Sequence, residues 1–471
     1  MQNPTGATQT DLCVIGGGWS GLAAAVEAAG RGMRVTLIDA APQLGGRART
    51  LETDMGFGPV RLDNGQHLMM GAYRETLALI ARVSPMSSTL LRRSPLELTD
   101  TGGLSMRTAP LPAPWHLAAG FLTARGFGIR GKLACARLML TLRLKGWQVA
   151  HGETVSALLA RTGQPCWLID RLWQPLCISA LNTPIDDACA RTFAAVLRDT
   201  LGADRESSDF VLPRDTLGDC LPAPASRWLT ERGSQILLRT PVRALHPKPD
   251  GWRIDIGHGR IEARRVILAL PPANSARLLA PLTEPASDAS RQTLLSALQA
   301  FEPTPIATTY LAWPTSQGIS IPAWTMLRED RQPGQTAAPG DWVFDRGIQQ
   351  SHRIAAVVAS AIDAHANWSL ETLTAAIEAK AIQGLRLPQP THRFTVIERR
   401  ATFACVPARP TIVQPADGNL PGLWLAGDYT ERDYPASLEA AVRSGSRAGR
   451  LAADWLPASA SDAYSQAALS A

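Results

Sequence analysis

The stretch DNGQH at residues 63–67 places a carboxylate, two carboxamides and a histidine within five positions. The run LMM follows directly at residues 68–70, although loops are usually more polar than this. A histidine titrates near neutral pH and can give or take a proton, and a carboxamide can orient a hydroxyl through hydrogen bonds. The pattern predicts polar chemistry against an apolar wall, and the surrounding motifs decide what that chemistry is.

The residues that precede this stretch predict a strand, a tight turn, a helix and a second strand. Residues 12–15 form a short apolar strand, residues 22–29 a helix of small side chains, and residues 34–38 a second buried strand. Two such strands joined by a helix are typical of a parallel βαβ unit. The sequence therefore predicts an α/β fold built on a Rossmann-like sheet.

The turn between the first strand and the helix carries a GxGxxG motif. Gly16 allows the tight turn, Gly18 lets a pyrophosphate approach the backbone, and Gly21 lets the helix pack closely on the strand. The helix N-terminus offers N–H groups and partial positive charge to the phosphates. Asp39 ends the second strand, 23 positions after Gly16, where it can accept hydrogen bonds from a ribose diol. A dinucleotide site is predicted here.

A second nucleotide signal lies near the other end of the chain. Residues 423–425 predict a short strand, Gly427 and Asp428 follow it, and residues 435–451 predict a helix. An acid at this position can bond a ribitol hydroxyl or hold a water on the pyrophosphate. The helix starts near Ser437 and directs its positive dipole end at the electron-rich edge of a flavin. An NAD dehydrogenase needs no second fingerprint, so the pair of motifs favours FAD.

Two further stretches resemble the amine oxidase and carotenoid desaturase superfamily of flavoproteins. The GGR run at residues 45–47 resembles its flavin-binding run, which implies that Gly46 and Arg47 reach the cofactor phosphates and the flavin. Residues 234–272 predict four strands, and the resemblance implies a backbone contact from Val242 to the adenine. In this superfamily the chain forms a Rossmann-like FAD-binding domain together with a separate substrate domain.

The resemblance divides the chain into interleaved intervals. Residues 8–100, 205–275 and 400–456 are expected to build the FAD-binding domain. The intervals 101–204 and 276–399 are expected to form a discontinuous α+β substrate domain. The length agrees with two domains, because single cores stop growing near roughly 250–300 residues. The Ala- and Ser-rich segment 457–471 is expected to be a flexible tail.

Longer runs narrow the resemblance to one family. The stretches LDNGQHLMMGAYRETLALI, FVLPRDTLGDCL, RATFACVPARP and AGDYTERDYPASLEAAVRSG together resemble the hydroxysqualene dehydroxylases, squalene-associated FAD-dependent enzymes of bacterial hopanoid pathways. The resemblance covers about residues 10–456. It implies that an isoprenoid alcohol, hydroxysqualene, is reduced to squalene with loss of water. Cys405 stands loosely where some amine oxidases attach their flavin, but its neighbours do not match their attachment motif, so we expect non-covalent FAD.

The resemblance gives the opening stretch a role beside the flavin ring. Residues 68–70 are predicted to line a tunnel for the hydrocarbon, in which flexible methionines suit a long chain. His67 is nominated as the acid that protonates the allylic hydroxyl, with Gln66 as the second polar group, before hydride arrives from reduced flavin. Alternatively, His67 only bonds a backbone carbonyl. Asp63 is a third catalytic candidate, but is expected rather to cap a turn or hold Arg47.

Three other functions stay open on the same motifs. A carotenoid or phytoene-type desaturase would oxidise a polyprenoid instead of reducing it. A flavin amine oxidase would act on a soluble amine. A non-catalytic lipid carrier would keep the flavin site without turnover. No second nucleotide fingerprint points to the electron donor, which would be an unidentified partner reductase or free reduced flavin.

Composition excludes several classes of partner and favours a reducing compartment. The chain has 47 basic and 41 acidic residues and no dense basic run, which argues against nucleic-acid binding. Its seven cysteines are scattered, odd in number and without a CxxC pair, so neither a disulfide framework nor a metal site is predicted. No secretory signal and no 18-residue apolar span are found. A cytoplasmic protein is therefore expected.

One segment suggests contact with lipid. Residues 115–147 contain no acid, interleave Arg and Lys with Leu, Phe and Met, and have Trp at both ends. Such helices can lie on a bilayer and collect a hydrocarbon substrate. The alternative is a pair of ordinary amphipathic helices that cap the substrate domain. The first interpretation predicts a peripheral position on the inner face of a bacterial membrane.

Overall fold

The computed structural model describes residues 8–257, 259–282, 288–328, 338–417 and 420–455, so the tail predicted at 457–471 lies outside the described residues. The strands are β1 Thr8–Ile15, β2 Val35–Ile38, β3 Thr50–Asp54, β4 Pro59–Asp63, β5 Met69–Met70, β6 Leu91–Ser94, β7 Glu97–Thr99, β8 Ser105–Arg107, β9 Phe210–Pro213, β10 Gln235–Leu237, β11 Val242–Lys248, β12 Gly251–Ile256, β13 Gly259–Leu268, β14 Pro303–Pro314, β15 Trp324–Met326, β16 Trp342–Gln349, β17 His352–Ser360, β18 His392–Phe403 and β19 Leu423–Leu425.

The helices lie mostly between these strands. They are α1 Trp19–Gly30, α2 Arg74–Val83, α3 Ser87–Leu90, α4 Trp115–Thr123, α5 Gly128–Leu144, α6 Val155–Arg161, α7 Cys166–Leu168, α8 Gln174–Leu181, α9 Ala190–Leu201, α10 Leu217–Cys220, α11 Pro222–Glu231, α12 Pro272–Leu279, α13 Asp288–Gln299, α14 Leu370–Leu385 and α15 Leu438–Asp454.

The largest sheet is the Rossmann-like α/β sheet that the sequence predicts. Its strand order is β10-β2-β1-β13-β12-β11, and β19 pairs with the C-terminal half of β13. The pairs β10–β2, β2–β1, β1–β13 and β13–β19 are parallel, whereas β11 and β12 form an antiparallel extension. Strands from three separated parts of the chain therefore meet in one sheet. The exact domain boundaries remain a prediction.

Two helices pack together on this sheet and point the same way. A Cβ on Gly445 of α15 would lie 2.0 Å from the backbone oxygen of Ser20, and one on Gly449 would lie 2.6 Å from that of Ala24. The contacts ascend together along α1 and α15, so the helices run parallel with their N-termini at the same end. Only glycine at these positions of α15 allows the two backbones to come this close.

The second large sheet is antiparallel, with the order β15-β16-β17-β14-β18. Helix α14 covers one of its faces, where Leu373, Ile377 and Ala381 pack with Val343 and Val357. The other face joins a core that also contains buried residues of α5, α6, α8 and α9. The antiparallel sheet and these helices together form a mixed α and β core in addition to the Rossmann-like sheet.

Short strands position the stretch that carries the candidate catalytic groups. The hairpin β3–β4 ends at Asp63, and β5 pairs with β9 through Met69 opposite Val211. The chain between β4 and β5, residues 64–68, is thereby held at both ends. Within the described residues, every helix is too short or too polar to cross a bilayer.

Candidate active site

One cavity of about 730 Å³ is lined by residues of both large sheets. We call one part of it the nucleotide end, which is lined by Gly16, Gly18, Asp39, Gly46, Arg47, Val242, Gly427, Asp428 and Ser437. We call the other part the apolar end, which is lined by Leu68, Met70, Phe193, Val196, Leu197, Phe210, Trp342, Phe344 and Val358. Nine of the ten predicted cofactor residues therefore share one cavity wall.

The tenth predicted residue, Gly21, stands behind that wall. A Cβ on Gly21 would lie only 1.8 Å from the backbone oxygen of Gly16, so the glycine lets α1 pack against the turn. The GGR run is bonded directly to the same turn, because the Gly45 N–H donates to the Gly17 oxygen at 2.9 Å. The backbones of Gly18 and Gly46 also lie close together, because a Cβ added to Gly46 would be 3.0 Å from the Cα of Gly18.

The start of α1 is suited to bind phosphate. Gly18 is the N-cap of this helix. Because glycine has no side chain, the N-cap residue does not cap the N–H groups of the first turn. The helix begins at Trp19, earlier than the sequence predicts, because Gly18 is extended and the helix follows at once. Asp39 accepts the Gly17 N–H at 2.6 Å and the Ala41 N–H at 2.7 Å. These bonds hold its carboxylate at the cavity, where a ribose diol could share its remaining lone pairs.

The GGR arginine joins the two nucleotide motifs. Arg47 donates to Asp428 at 2.7 Å and to the Ala401 backbone oxygen at 3.0 Å. Asp428 is almost completely buried, and its charge opposes the effect of burial on Arg47, whose pKa is raised overall. Because the ion pair places one guanidinium and one carboxylate at the same point of the wall, it can position a phosphate or ribitol group of the cofactor.

The last helix completes the nucleotide end. Ser437 is the N-cap of α15, and its hydroxyl accepts the Ala440 N–H at 3.2 Å. The helix starts later than the sequence predicts, at Leu438 instead of residue 435. Its N-terminus and that of α1 both point at the cavity, so two helix dipoles favour electron-rich groups there. Val242 begins β11 and lines the cavity, and its contact with the adenine stays a prediction. The residues present therefore fit FAD.

Gln66 and His67, the two side chains of the opening stretch that are proposed to act on the hydroxyl, line this cavity. His67 Nδ1 lies 2.7 Å from the Gly65 oxygen, and an acceptor there requires Nδ1 to carry a hydrogen. Burial lowers the pKa of His67, although the Gly65 bond acts in the opposite direction. The neutral ring therefore dominates at neutral pH. The buried oxygen Oε1 of Gln66 has no hydrogen-bond partner among the described residues.

Asp63 does not join this group, and the predicted contact with Arg47 is wrong. Asp63, the last residue of β4, is fully buried and does not line the cavity. Its Oδ1 accepts the Leu217 N–H at 2.9 Å, and Arg346 lies 3.7 Å from Oδ2. Burial raises the pKa of Asp63 to about 6. This position supports the hairpin that carries the active stretch and does not reach a substrate.

The prediction that all of residues 68–70 line the tunnel is wrong for one residue. Leu68 and Met70 contact the cavity, whereas Met69 is fully buried on the opposite side. Met69 and Met70 form the two-residue strand β5, and side chains alternate across a strand. The apolar end therefore receives two of the three side chains, and the third anchors the strand.

The structure gives roles to two polar residues that were not among the predicted site residues. Asn64 accepts the Arg49 N–H and donates to the Arg47 oxygen, both at 2.9 Å, so it fixes the GGR run from the side. Glu439 at the start of α15 accepts the N–H groups of Glu75 and Thr76 and so caps the first turn of α2. Asn64 stands inside the DNGQH run, so the sequence placed it near the site but assigned it no role. No local pattern points to Glu439, because its partners are more than 360 residues away.

The cysteines lie away from the cavity. All seven fall in the described part of the chain, and none of them contributes to the cavity lining. Cys405 is buried, and its backbone N–H donates to the Thr183 hydroxyl. Burial raises its thiol pKa to about 11, which disfavours the reactive thiolate. Non-covalent attachment of the flavin remains the proposal that agrees with this position.

Comparison with known proteins connects this geometry to a family. The family described as flavin containing amine oxidoreductase matches residues 19–452. The chain is 29% identical to a hydroxysqualene dehydroxylase of Rhodopseudomonas palustris over 456 residues, which is 93% of this chain and 97% of the relative. It is 26% identical to one from Zymomonas mobilis, over 93% of this chain and 98% of the relative. A carotenoid phi-ring synthase of Streptomyces griseus is 28% identical over 51% of this chain and 48% of the relative.

Solved structures share the fold at low sequence identity. A redesigned putrescine oxidase superimposes with a TM-score of 0.69 at 16% identity, over 94% of this chain and 99% of that chain. A cyclohexylamine oxidase from Brevibacterium oxydans superimposes with a TM-score of 0.65 at 17% identity and the same coverage. The Rossmann-like FAD-binding fold is therefore confirmed. With the matched residues spanning almost all of the described sequence, the chain belongs to the flavin containing amine oxidoreductase family and is an FAD-dependent oxidoreductase.

Proposed function

We propose that this protein reduces hydroxysqualene to squalene with loss of water. The observation that carries the proposal is the single cavity in which the FAD-binding residues continue into an apolar end. Relatives with the name hydroxysqualene dehydroxylase match over 93% of the chain, whereas relatives named for carotenoids match over about half of it. Both the shape of the site and the extent of the similarity favour a long hydrocarbon alcohol.

The apolar end binds the hydrocarbon through shape and burial. Phe193 and Leu197 of α9, Phe210 of β9, and Trp342 and Phe344 of β16 belong to one core. Each buried methylene of the substrate contributes about 0.8 kcal/mol against this wall. None of the nine side chains that define the apolar end is charged, so an isoprenoid can displace water from them without leaving a buried charge unpaired.

The reaction needs one hydride and one proton for each hydroxyl lost. When bound and reduced, FAD supplies the hydride. The proton must reach the hydroxyl oxygen so that it leaves as water, and the carbon then takes the hydride in its place. Gln66 lines the cavity, and its buried Oε1 has no hydrogen-bond partner among the described residues, so a rotation of the side chain would let this oxygen accept the O–H hydrogen bond.

His67 remains the proposed proton donor, but its buried position limits the fraction of the ring that is protonated. Only the charged ring can give a proton, and burial lowers the pKa of His67 below its ordinary value. The Gly65 oxygen holds Nδ1–H, so the second ring nitrogen is left for the substrate. The protonated form is therefore a minor species at neutral pH, but it is a stronger acid than an ordinary imidazolium. Asp63 is not proposed to act on the substrate.

The electron donor and the location are also proposals. A partner reductase or free reduced flavin is expected to reduce the enzyme, and the isoprenoid substrate is the other partner. We place the reaction in the cytoplasm, on the inner face of the bacterial membrane, where a water-insoluble substrate is stored. The free cysteines agree with a reducing compartment.

The test is product analysis with purified, flavin-loaded enzyme. Under anaerobic conditions with pre-reduced flavin, hydroxysqualene should yield squalene and one oxidised flavin per turnover. The oxidised enzyme with the same substrate is the control and should form no squalene. Formation of more unsaturated products from polyprenes would favour a desaturase, and peroxide release with amines would favour an amine oxidase. A reduced enzyme that leaves hydroxysqualene unchanged would refute the proposal.

A further inference from the structure

Helix α5 is apolar on two opposite faces. Its buried face packs into the core through Cys135, Leu138 and Leu142. Its opposite face exposes Ile129, Leu133, Leu140 and Leu144 by 77%, 65%, 58% and 78%. Steps of four, seven and four residues place these four side chains in one narrow stripe along the helix. A solvated helix needs no such second apolar face.

Helix α4 extends the same feature. It exposes Trp115 by 66% and Leu122 by 76%, two residues that lie on one side of the helix. The Lys132 ammonium donates to the Leu122 oxygen, which holds the start of α5 against the end of α4. We call these six side chains the outer stripe: Trp115, Leu122, Ile129, Leu133, Leu140 and Leu144.

Positive charge flanks the outer stripe. At 100° per residue, Arg130 and Arg137 project on one side of the α5 stripe, and Lys132 and Arg143 on the other. Residues 101–152 hold seven basic side chains and no acid, whereas the remaining 40 basic residues balance the 41 acids. The net positive charge of the chain is therefore concentrated around this apolar surface.

We propose that the outer stripe docks the protein on the surface of an anionic lipid bilayer. Exposed apolar patches bordered by polar groups mark interaction sites. A one-sided apolar stripe with basic flanks fits a helix that lies in the interface, where Leu, Ile and Trp enter the acyl boundary and Arg and Lys meet the phosphates. A protein partner would need its own acidic border to match the same pattern.

Docking there would bring lipid to the substrate wall. The buried face of α5 belongs to the core that also contains Phe193 and Leu197 of the apolar end. Trp147, just after α5, packs on Gly202, and a Cβ on that glycine would lie 2.5 Å from the indole. The buried face of α5 therefore shares a core with the apolar end, although no residue of α4 or α5 lines the cavity itself. The inference rests on the membrane location given with the proposed function and deepens it by naming the surface that docks, whereas lipid binding itself does not depend on which substrate is reduced.

Vesicle co-sedimentation of the flavin-loaded protein tests the proposal. We expect binding to phosphatidylglycerol vesicles that weakens in high salt, and much weaker binding to phosphatidylcholine vesicles. A variant with Ile129, Leu133, Leu140 and Leu144 each changed to Gln should bind roughly tenfold more weakly or worse. Changing Arg130, Arg137 and Arg143 to Gln should also cost roughly tenfold or more, because each cation near an anionic surface contributes.

Matched variants elsewhere on the surface separate docking from general effects. Ile348, Leu370, Val413 and Leu451 are also exposed, and their change to Gln should leave binding unchanged. Arg227, Arg260 and Arg264 are the controls for charge. Retained flavin absorbance confirms folding. The proposal would be overturned if the stripe and control variants lost vesicle binding equally, or if the unaltered protein did not bind vesicles. It would also be overturned if the protein were a dimer that dissociates only in the stripe variant. Turnover of detergent-dispersed substrate should stay unchanged, which separates it from the proposed function.

Discussion

The two ends of the cavity are built in different ways. The nucleotide end consists of local motifs, in which a glycine turn and a helix start are adjacent and a carboxylate follows 23 positions after Gly16. The apolar end draws one to three side chains each from α9, β9, β16 and β17, which are far apart in the chain. The first end depends on backbone geometry, and the second depends on the size and polarity of side chains.

This difference predicts how each end tolerates change. A tight contact between two backbone segments cannot relax, so a single added methyl group at the nucleotide end should abolish binding of the cofactor. An apolar wall of many side chains shares its energy among them, so one substitution should weaken binding without removing it. The following variants test this contrast, from the largest expected effect to the smallest.

Substitution Gly21→Ala should eliminate bound FAD. The added Cβ would lie 1.8 Å from the Gly16 oxygen, so α1 must move away from the turn that holds the phosphates. The expected cost is about 3 kcal/mol or more of stability, with loss of the flavin spectrum and of activity. Flavin absorbance of the purified protein and its Tm measure the effect.

The control for this variant lies in the same helix. A Cβ on Gly30 would lie in ordinary contact with Trp228 at 3.6 Å and would clash only with the end of the Arg82 side chain, which is flexible and can move aside. Gly30→Ala should therefore keep its flavin and gain up to about 1 kcal/mol from helix propensity. Normal flavin content in Gly21→Ala would show that the close approach of α1 to the turn is not required.

Substitution His67→Gln should lower the rate of dehydroxylation about 100-fold, the lower range of a lost general acid. The pH dependence sharpens the test. Burial lowers the pKa of His67 below 6.5, so its charged form increases as pH falls through that lowered pKa. The rate of the unaltered enzyme should rise towards acid pH and level off below the pKa, and His67→Gln should lose this rise.

His151→Gln serves as the comparison, because His151 is exposed and does not line the cavity. It should retain both the rate and the pH profile. A rate that is independent of pH, or one that increases towards alkaline pH, would contradict proton donation by His67. In that case the ring would only hold the Gly65 carbonyl and shape the loop.

Substitution Val196→Asn should raise the KM for the isoprenoid roughly tenfold while the flavin stays bound, because an amide buried against hydrocarbon costs about 1–2 kcal/mol. Val196 is partly exposed and lines the apolar end, so the fold should tolerate the change. Val413→Asn, on the open surface, is the control. An unchanged KM, or loss of flavin together with substrate binding, would remove the distinction between the two ends.

Local patterns predicted the elements of the nucleotide end because their function depends on spacing. The strands and helices around Gly16 and Gly427 are present with ends shifted by a few residues, since helix starts follow cap geometry at Gly18 and Ser437. The parallel course of α1 and α15 was not predictable. It depends on contacts between Gly445 and Ser20, which only the packed structure brings together.

The errors fall where side-chain direction matters. Asp63 and Met69 stand among the predicted site residues, yet both turn away from the cavity. Neither the partner of Asp63, the Leu217 N–H, nor the strand opposite Met69 can be identified from neighbouring residues. A polar run predicts that chemistry is near, but it does not tell which members of the run reach it.

The amino-acid order alone determined the nucleotide fold, the cofactor class and the amphipathic pattern of residues 115–147, because each is a matter of periodicity or spacing along one stretch of chain. Tertiary structure alone decided that the apolar side chains of α9 and β16 share a cavity with the flavin motifs. It also decided that the outer stripe of α5 faces solvent while Leu138 and Leu142 face the core. Burial is a property of neighbours in space, so no local pattern distinguishes two apolar faces of one helix.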